Sequence, residues 1–394
     1  MPPIFAVKLT SMSKYLFKLQ YIGFILCCLT GCLDAYLPPD VQADLSLLVV
    51  DGFINASDQS ASIRLTTTLP LDTTALPKTI DDAEVTIERS DGGAVHLPAI
   101  GDGRYETSAI ALNMDAQYRL NIALSSGETY QSDFISLTRS PDIDSVTFSE
   151  GKDALNVYVN THDPSGNSRY FKWDYEETWE HTSSFVSMYK LVDGQAYERS
   201  TDERIYICWS TAPSTSILVY NTVNLSEAVV SNFLLTAVPA GSEQLSRRYS
   251  INVKQRAVTE AEYEFWSKLR KTTEELGGLF DPQPYAVAGN IQGANNNNVV
   301  LGYFGGGEVK EKRIFVGMTD LPRNIANQTM RARCSPDEIQ SASVSDLRFL
   351  SPVTTTLLES IYVQGVGIVG YTFSQPGCAD CRTQGGTTAR PAFW

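Results

Sequence analysis

The stretch "YRLNIALSSGETYQSDFISL", residues 118–137, contains the alternation of apolar and polar residues that decides the fold. Its first half alternates apolar and polar side chains, and the apolar ones are Tyr118, Leu120, Ile122 and Leu124. Successive side chains of a strand point to opposite faces, so these four residues would share one face. Ser126-Gly127 follows as a natural hairpin turn. The stretch therefore predicts a β-hairpin with one buried face.

The same period recurs on the N-terminal side of this hairpin, where Asp91-Gly92-Gly93 marks a further turn. The segments that show it are "LSLLVVDGFIN", "ASIRLTTTL" and "AEVTIERSDGGAVHLPAI". Short strands at this spacing predict a small β-sandwich of immunoglobulin-like or prealbumin-like type over residues 45–140. Pro141 then indicates a linker.

Residues 141–394 are predicted to form a larger β-rich domain, which makes the fold mainly β. Its strand-like segments are "ALNVYVN", "RYFKWDYEETW", "RIYICWS", "TSILVYNT" and "RRYSINVKQRAV". Farther along the chain, "NVVLGYF" and "EKRIFV" are predicted to pair with each other.

One segment changes to a helical period, and it predicts a helix over residues 260–276. Thr259 is the expected N-cap, and Glu262 follows three residues later, which is the spacing of a capping box. The expected apolar stripe is Ala261, Phe265, Leu269 and Leu276. Gly277-Gly278 would end the helix in a left-handed conformation.

The N-terminal segment, residues 1–31, resembles a lipoprotein signal peptide. It has three lysines and no acidic residue before the apolar run "YIGFILCCLTG", which is too short to span a membrane as a helix. The tetrad Leu29 to Cys32 resembles a bacterial lipobox, in which the cysteine is lipidated. Residues 32–44 would then form a lipidated tether, and the acyl chains on Cys32 would hold the protein on a membrane.

The net charge of the chain argues against polyanionic partners. The chain carries a formal net charge of −14, and loss of the three signal-peptide lysines would make it −17. A surface this acidic argues against binding to nucleic acid or to anionic lipid head groups.

Four cysteines remain after the signal peptide and the lipidation site are set aside: Cys208, Cys334, Cys378 and Cys381. An even number outside the cytoplasm predicts two structural disulfides, whose connectivity the sequence leaves open. A four-cysteine zinc site and redox chemistry at the C-x-x-C pair are the alternatives. No cofactor is expected.

Candidate ligand contacts lie in "YFKWDYEETWE": Trp173, Asp174, Glu177 and Trp179. Two carboxylates facing one sugar could serve a glycosidase, and the tryptophans could stack on a glycan. The alternative is a solvated face over an aromatic core, because Phe171, Trp173 and Tyr175 would point away from Asp174. No H-E-x-x-H or G-x-S-x-G motif occurs, so no catalytic residue is assigned.

Two glycine-rich stretches are interpreted as structural. "GVGIVG", Gly365 to Gly370, matches a dinucleotide motif, but strand-like residues follow it and no helix does. It is predicted to be a strand with bulges or close sheet packing. "GYFGGGEVKEK" lacks the phosphate-loop spacing and is predicted to be a hairpin turn.

Several long stretches together resemble the family called domain of unknown function 4249. They are the lipobox, "LVVDGFIN", "YFKWDYEETWE", "RRYSINVKQRAVTEAEYEFWSKLRKTTEELGGLFDPQP", "GNIQG", "VLGYF", "EKRIFV" and "CADCRTQGGTTARPAFW". The resemblance implies an outer-membrane lipoprotein of Bacteroidota that accompanies a TonB-dependent receptor. It carries over no catalytic residue, since the family has none assigned.

The function expected from these features is a non-enzymatic accessory or ligand-capture partner of such a receptor in nutrient uptake. The protein would be anchored by lipid in the outer membrane, on its periplasmic or cell-surface face, with an unidentified ligand. The alternatives are a surface carbohydrate-active hydrolase that uses carboxylates near residues 174–180, and a structural envelope or adhesion module.

Overall fold

The structure, a computed structural model, describes residues 46–69, 76–274, 287–294, 299–328 and 333–394. The expected signal peptide and tether, Cys32, Leu276 and the expected helix stop at Gly277-Gly278 therefore lie outside the described residues. Within the described ranges the chain is mainly β, as predicted.

Two sheets face each other and form a β-sandwich. The hydrophobic core between them, which includes Val50 and Leu120, is called the first core. Sheet A has the order β20-β1-β2-β6-β5, and sheet B has the order β19-β8-β7-β3-β4 with β9 beside β7. The strands of sheet A are β1 (Leu48–Asn55), β2 (Ser60–Thr67), β5 (Ala99–Gly101), β6 (Arg104–Thr107) and β20 (Leu301–Gly307). Those of sheet B are β3 (Glu84–Arg89), β4 (Ala94–Leu97), β7 (Gln117–Ala123), β8 (Thr129–Ser132), β9 (Ile135–Ser136) and β19 (Ile291–Gly293).

The predicted alternation and turns are present in this sandwich. Tyr118, Leu120 and Ile122 of β7 are buried in the core, and Leu124 packs against it. Gly92 and Gly93 have positive φ in the β3–β4 hairpin, and so does Gly127 in the β7–β8 hairpin. Period-two patterning thus located the hydrophobic face of this hairpin correctly.

A strand from late in the chain completes sheet A. β20 pairs with β1 in parallel, with Gly302 opposite Val50. The predicted pairing of "NVVLGYF" with "EKRIFV" is wrong, because the second segment lies in a different sheet. The predicted hairpin turn at "GYFGGGEVKEK" is wrong as well, since Gly305 to Gly307 continue the strand. These glycines allow close approach: a Cβ at Gly307 would lie 2.1 Å from Thr138 Oγ1.

A second sandwich surrounds a core that contains Phe171, Trp173 and Tyr249. Sheet C has the order β10-β11-β17, and sheet D has the order β15-β12-β18-β21 with β16 also paired to β12. The strands of sheet C are β10 (Ile143–Glu150), β11 (Ala154–Asp163) and β17 (Ala228–Pro239). Those of sheet D are β12 (Tyr170–Thr182), β15 (Ile207–Pro213), β16 (Leu218–Asn221), β18 (Arg248–Ala257) and β21 (Lys310–Gly317).

A smaller module packs around Leu191, Leu347, Leu357 and Tyr371. It contains the hairpin β13 (Tyr189–Val192) and β14 (Gln195–Glu198), and a sheet of β22 (Gln340–Ser343), β23 (Thr356–Val363) and β24 (Gly367–Ser374). The "GVGIVG" glycines lie at the β23–β24 turn and in β24, where a Cβ at Gly370 would lie 2.4 Å from the Ala342 carbonyl oxygen. Close sheet packing therefore accounts for Gly370.

Helix α1 (Glu260–Thr273) begins as predicted but ends before the predicted residue 276. In the described part of the chain two short α-helices follow it, α2 (Arg323–Ala326) and α3 (Pro376–Ala379). The Thr259 side chain accepts a hydrogen bond from the Glu262 backbone N–H. Glu262 turns inward, so only half of the capping box forms. Phe265 is buried, whereas Ala261, expected in the apolar stripe, is exposed.

The four cysteines form two disulfides, Cys208–Cys381 and Cys334–Cys378. Each cysteine of the C-x-x-C pair is thus joined to a distant partner. The tail beyond Cys381 continues to sheet D, where Thr387 bridges Trp209. The Arg313 guanidinium carbon lies 3.6 Å from the centroid of the Phe393 ring.

The expected linker at Pro141 is a packed segment. Thr138 Oγ1 donates to the Ala257 carbonyl oxygen at 2.6 Å, and Ser140 Oγ donates to the Glu308 carbonyl oxygen at the same distance. The division of the chain at residue 140 stays a prediction. The structure adds that β19 and β20, from the later region, are hydrogen-bonded into the N-terminal sheets.

Candidate functional site

A charged cleft lies between the outer face of sheet A and sheet D, with α1 beside it. Its volume is about 490 Å³, within the range of small-molecule sites. β1 contributes Asp51 and Phe53, β12 contributes Lys172 and Asp174, and β18 contributes Arg256. The cleft therefore collects side chains from both sandwiches.

Strand alternation directs these residues into the cleft. On β1, Val50 and Ile54 enter the first core, so Asp51 and Phe53 point outward. On β12, Phe171 and Trp173 enter the second core, which places Lys172 and Asp174 on the opposite face. Lys172 lies opposite Arg256 in the antiparallel register.

Lys172 is a buried ammonium group with one carboxylate partner. Its side chain is 7% exposed, and its Nζ donates to Asp174 Oδ1 at 2.6 Å. The Nζ also lies 4.8 Å from the centroid of the Trp266 ring. Burial lowers the pKa of Lys172. Burial opposes ionisation of Asp174 too, but the charges of Lys172 and Arg256 outweigh it and lower the pKa of that carboxyl.

Arg256 is the second cation of this cluster, with a side chain 13% exposed. The nearest carboxylate oxygens are Glu262 Oε1 at 3.6 Å and Asp174 Oδ2 at 4.0 Å. Its Nε is buried without a hydrogen-bond partner among the described residues. Its guanidinium carbon lies 4.4 Å from the centroid of the Phe53 ring. Arg256 thus has donor capacity that the described protein leaves unused.

Glu262 closes this charge cluster from α1. Its side chain is 5% exposed, and one carboxylate oxygen accepts from Trp266 Nε1 at 3.2 Å. A Cβ at Gly305 would lie 2.9 Å from the other oxygen, so β20 needs glycine there to admit the carboxylate. Two cations, Lys172 and Arg256, are therefore balanced by Asp174 and Glu262.

Of the four residues predicted to contact a ligand, only Asp174 lines this cleft. Trp173 is fully buried and donates from Nε1 to Gln255 Oε1 at 2.9 Å, so the expectation that it stacks on a ligand is wrong. Trp179 is half-buried, and its Nε1 lies 3.3 Å from Glu243 Oε2. Glu177 accepts a hydrogen bond from the Tyr249 hydroxyl at 2.6 Å.

Asp174 and Glu177 do not face a common substrate. They are three residues apart on a regular strand, so their side chains point to opposite faces. Burial raises the pKa of Glu177, which the Tyr249 hydrogen bond only partly offsets. Glu176, on the same face as Asp174, lies 3.5 Å from Arg313 Nη2. Asp174 and Glu177 are therefore not the two carboxylates facing one sugar that the hydrolase alternative requires.

A serine, a histidine and a carboxylate meet elsewhere, at the end of the second core. Ser210 Oγ lies 2.9 Å from His181 Nε2, and His181 Nδ1 lies 3.5 Å from Glu243 Oε1. His181 is fully buried and Ser210 is 8% exposed. Gly386 of the tail covers the pair, since a Cβ there would lie 2.5 Å from His181 Nε2. Nucleophilic catalysis needs an accessible hydroxyl, so this row is a buried polar contact that holds the tail.

One cysteine cluster has the composition of a metal site. Ligand atoms of Cys334, Glu338 and Cys378 lie within 4.8 Å of one another. The two sulfurs are joined as a disulfide, however, and offer no thiolate. The four cysteines therefore do not form the alternative zinc site.

Sequence reasoning missed Lys172, Arg256, Glu262 and Trp266 as site residues. The available signal was the alternation itself, because Lys172 and Asp174 interleave with buried aromatics. Charged side chains on such a face are ordinarily solvated. The cover that buries them comes from β1 and α1, which are distant in the sequence.

Among the described residues, no helix has the length and apolar character needed to cross a membrane.

Comparison with known proteins gives a family and no informative structural relative. No curated protein matches the chain. A two-domain fibronectin type III segment from chicken tenascin is 12% identical, covers 53% of this chain and 89% of its own, and has a TM-score of 0.16. The chicken interferon gamma receptor alpha chain, substituted with selenomethionine, is 9% identical, covers 54% of this chain and 88% of its own, and has a TM-score of 0.15. Likenesses this low carry no argument.

The family model described as "Domain of unknown function (DUF4249)" matches residues 35–313. The cleft residues Asp51, Lys172, Asp174, Arg256 and Glu262 all lie within that match. A match over this share of the sequence establishes the relationship, and the chain belongs to the DUF4249 family.

Proposed function

We propose that the protein is an outer-membrane lipoprotein that acts as a non-enzymatic accessory or ligand-capture partner of a TonB-dependent receptor. The observation that carries the proposal is the cleft between the two sandwiches, with its buried Lys172 paired to Asp174 and its incompletely bonded Arg256. Concave sites with a few convergent polar groups are typical of ligand binding.

The compartment is supported by both ends of the chain. The lipobox-like tetrad ending at Cys32 would place the protein at a membrane after export. The two disulfides agree with an oxidising compartment outside the cytoplasm. The proposal extends to an outer membrane of Bacteroidota because the resemblance of the sequence implies it.

The hydrolase alternative has less support than ligand capture. Three carboxylates share one face of β12, and each has an ion-pair partner. Asp174 pairs with Lys172, Glu176 with Arg313 and Glu180 with Arg247. The envelope or adhesion module is a separate alternative, and it would be recognised by loss of envelope integrity when the protein is absent.

Anchoring is tested by the variant Cys32→Ala. We expect it to abolish labelling with a palmitate analogue and to release the protein from the membrane fraction, because the acylated thiol is gone. Cys27→Ala and Cys28→Ala are matched controls that keep Cys32 and should still be labelled. Labelling that persists in Cys32→Ala would contradict the assignment.

The partner is tested by gentle detergent extraction of the outer membrane and affinity isolation of the full chain. A β-barrel receptor should co-isolate at a fixed ratio. Isolation of the protein alone, under conditions that preserve other receptor complexes, would count against the receptor role.

A further inference from the structure

Building on the ligand-capture role, on which this step rests, we propose that the cleft binds a zwitterionic ligand of the peptide class. The ligand carboxylate lies at Arg256, and the ligand ammonium group lies near Asp51.

The carboxylate position follows from the unused donors of Arg256. Within the described residues its side chain makes no hydrogen bond, since its two nearest carboxylate oxygens are 3.6 Å and 4.0 Å away. A guanidinium group presents five N–H donors in a planar fork that matches a carboxylate. A ligand carboxylate that enters the cleft would accept hydrogen bonds from the terminal N–H groups of this guanidinium, which make none within the described residues.

The charge balance favours a zwitterion over a simple anion. Lys172 and Arg256 are already matched by Asp174 and Glu262. The third cation of the cleft wall, Lys254, lies 3.9 Å from Glu311, so the three cations are balanced by three carboxylates. A simple anion would bring one unbalanced negative charge beside two carboxylates in a partly buried site, which is unfavourable. A ligand that brings its own ammonium group leaves the balance unchanged.

Asp51 is the group placed to receive that ammonium, because Asp58, which also lines the cleft without an ion pair, already accepts two hydrogen bonds from Ser60. Asp51 lines the cleft, is exposed, and makes no ion pair with a described residue. Arg64 lies opposite it on β2 without pairing to it. The Asp51 carboxylate is therefore available to a cation from outside.

The spacing of Asp51 and Phe53 along β1 is that of a short peptide. Asp51 and Phe53 point the same way and lie two residues apart on β1, which separates them by about 7 Å. Arg256 lies against the Phe53 ring, at 4.4 Å from its centroid. An extended dipeptide also spans about 7 Å between its termini.

Calorimetric titration of the full chain in detergent solution tests the inference, with alanyl-phenylalanine as the probe. Its C-terminal amide and its N-acetyl derivative serve as matched ligands that lack one charge each. We expect the amide to bind at least about tenfold more weakly than the free peptide, because the Arg256 contact is charge-assisted. The acetyl derivative should bind several-fold more weakly.

Two variants assign the groups. Asp51→Asn should weaken binding of the free peptide and leave binding of the acetyl derivative unchanged, because only the free amine uses that carboxylate. Arg256→Met should bind the free peptide and its amide equally, provided that its circular dichroism spectrum is unchanged. Arg348→Met, in the small module with a different core, is the matched control and should bind like the parent chain.

Three results would overturn the inference. The first is equal affinity for the free peptide and its amide, and the second is no binding of the peptide at about 10 mM, a concentration at which even a weak site is occupied. The third is that acetate competes for the cleft with the same affinity as the peptide. If Arg256→Met does not fold, Asp51→Asn and the ligand derivatives still give the answer. Peptide binding without co-isolation of a receptor would refute the partner and keep the ligand class. Co-isolation of a receptor without peptide binding would refute the ligand class and keep the partner.

Discussion

At the scale of the residue, Lys172 shows how a local pattern and a tertiary environment combine. Alternation places it on the face opposite Phe171 and Trp173, which ordinarily means exposure to water. Its side chain is nevertheless 7% exposed, because the cleft walls and Trp266 cover it. A buried ammonium group is tolerated only with a partner, and Asp174 is that partner.

Asp174→Asn should therefore destabilise the protein. The substitution leaves the Lys172 charge buried without its counter-ion, and breaking a buried pair is costly. Because Asp174 itself is 44% exposed, we expect a modest loss of about 2 kcal/mol in the free energy of unfolding. Urea denaturation followed by tryptophan fluorescence measures it.

Glu176→Gln is the matched control on the same strand face. It removes a contact of 3.5 Å with Arg313 from a side chain that is 42% exposed, so the expected loss is below about 1 kcal/mol. Equal losses in the two variants would contradict the view that Lys172 depends on Asp174.

A second residue-scale prediction concerns His181. Burial lowers its pKa in the folded protein, although Glu243 acts in the opposite direction. The unfolded chain then takes up the proton first as the pH falls below about 6.5. The free energy of unfolding should therefore decrease as the pH falls from about 7.5 to about 5.5, by up to about 1.4 kcal/mol per pH unit.

The opposing contribution of His162 to the pH dependence has to be removed in that experiment. Its pKa is raised by the hydrogen bond to Asp144, so its contribution is present at low pH and is lost as the pH rises. Urea midpoints are therefore compared in a His162→Gln background, with and without His181→Gln. A pH dependence that survives in the double variant would refute the assignment to His181.

At the scale of the element, β20 is the instructive case. Its sequence, "LGYFGGG", has the glycine content of a turn and predicts one. The glycines serve instead to bring a parallel strand close to its neighbours. Gly302 has φ +106°, and a Cβ there would lie 1.8 Å from the Val50 carbonyl oxygen.

Gly302→Ala should thus be strongly destabilising. Both the left-handed backbone and the contact with Val50 oppose a side chain, and we expect a loss of about 3 kcal/mol or more. Thermal unfolding of the full chain measures it. Gly377→Ala is the control, since nothing lies within 4 Å of its Cβ position, and it should be close to neutral. Similar transition temperatures for both variants would show that β20 does not pair with β1 in this way.

At the scale of the whole molecule, the two sandwiches depend on each other's chain segments. The first sandwich needs β19 and β20, which follow the strands of sheets C and D up to β18. The Thr138 to Ser140 segment is hydrogen-bonded to Ala257 and Glu308. The two sandwiches follow each other along the chain but are therefore not independent folding units.

A fragment of residues 45–140 should consequently fail to fold alone. It lacks two strands of its sandwich and the buried residues Ile291, Val300 and Phe304 of the first core. Urea unfolding followed by circular dichroism should show no cooperative transition. Co-expression with residues 287–309 is the matched comparison and should restore one. A cooperative transition of the fragment alone would refute this interdependence.

The sequence by itself determined the mainly β class, the hairpin turns of the first sandwich, the start of α1 and the presence of two disulfides. Each of these depends on local periodicity, capping or cysteine number. Only the tertiary structure decided which cysteines pair, that β20 joins β1, and that Lys172, Asp174, Arg256 and Glu262 meet in one cleft. Those outcomes depend on contacts between residues far apart in the chain, for which an alternating strand pattern specifies a face and no partner.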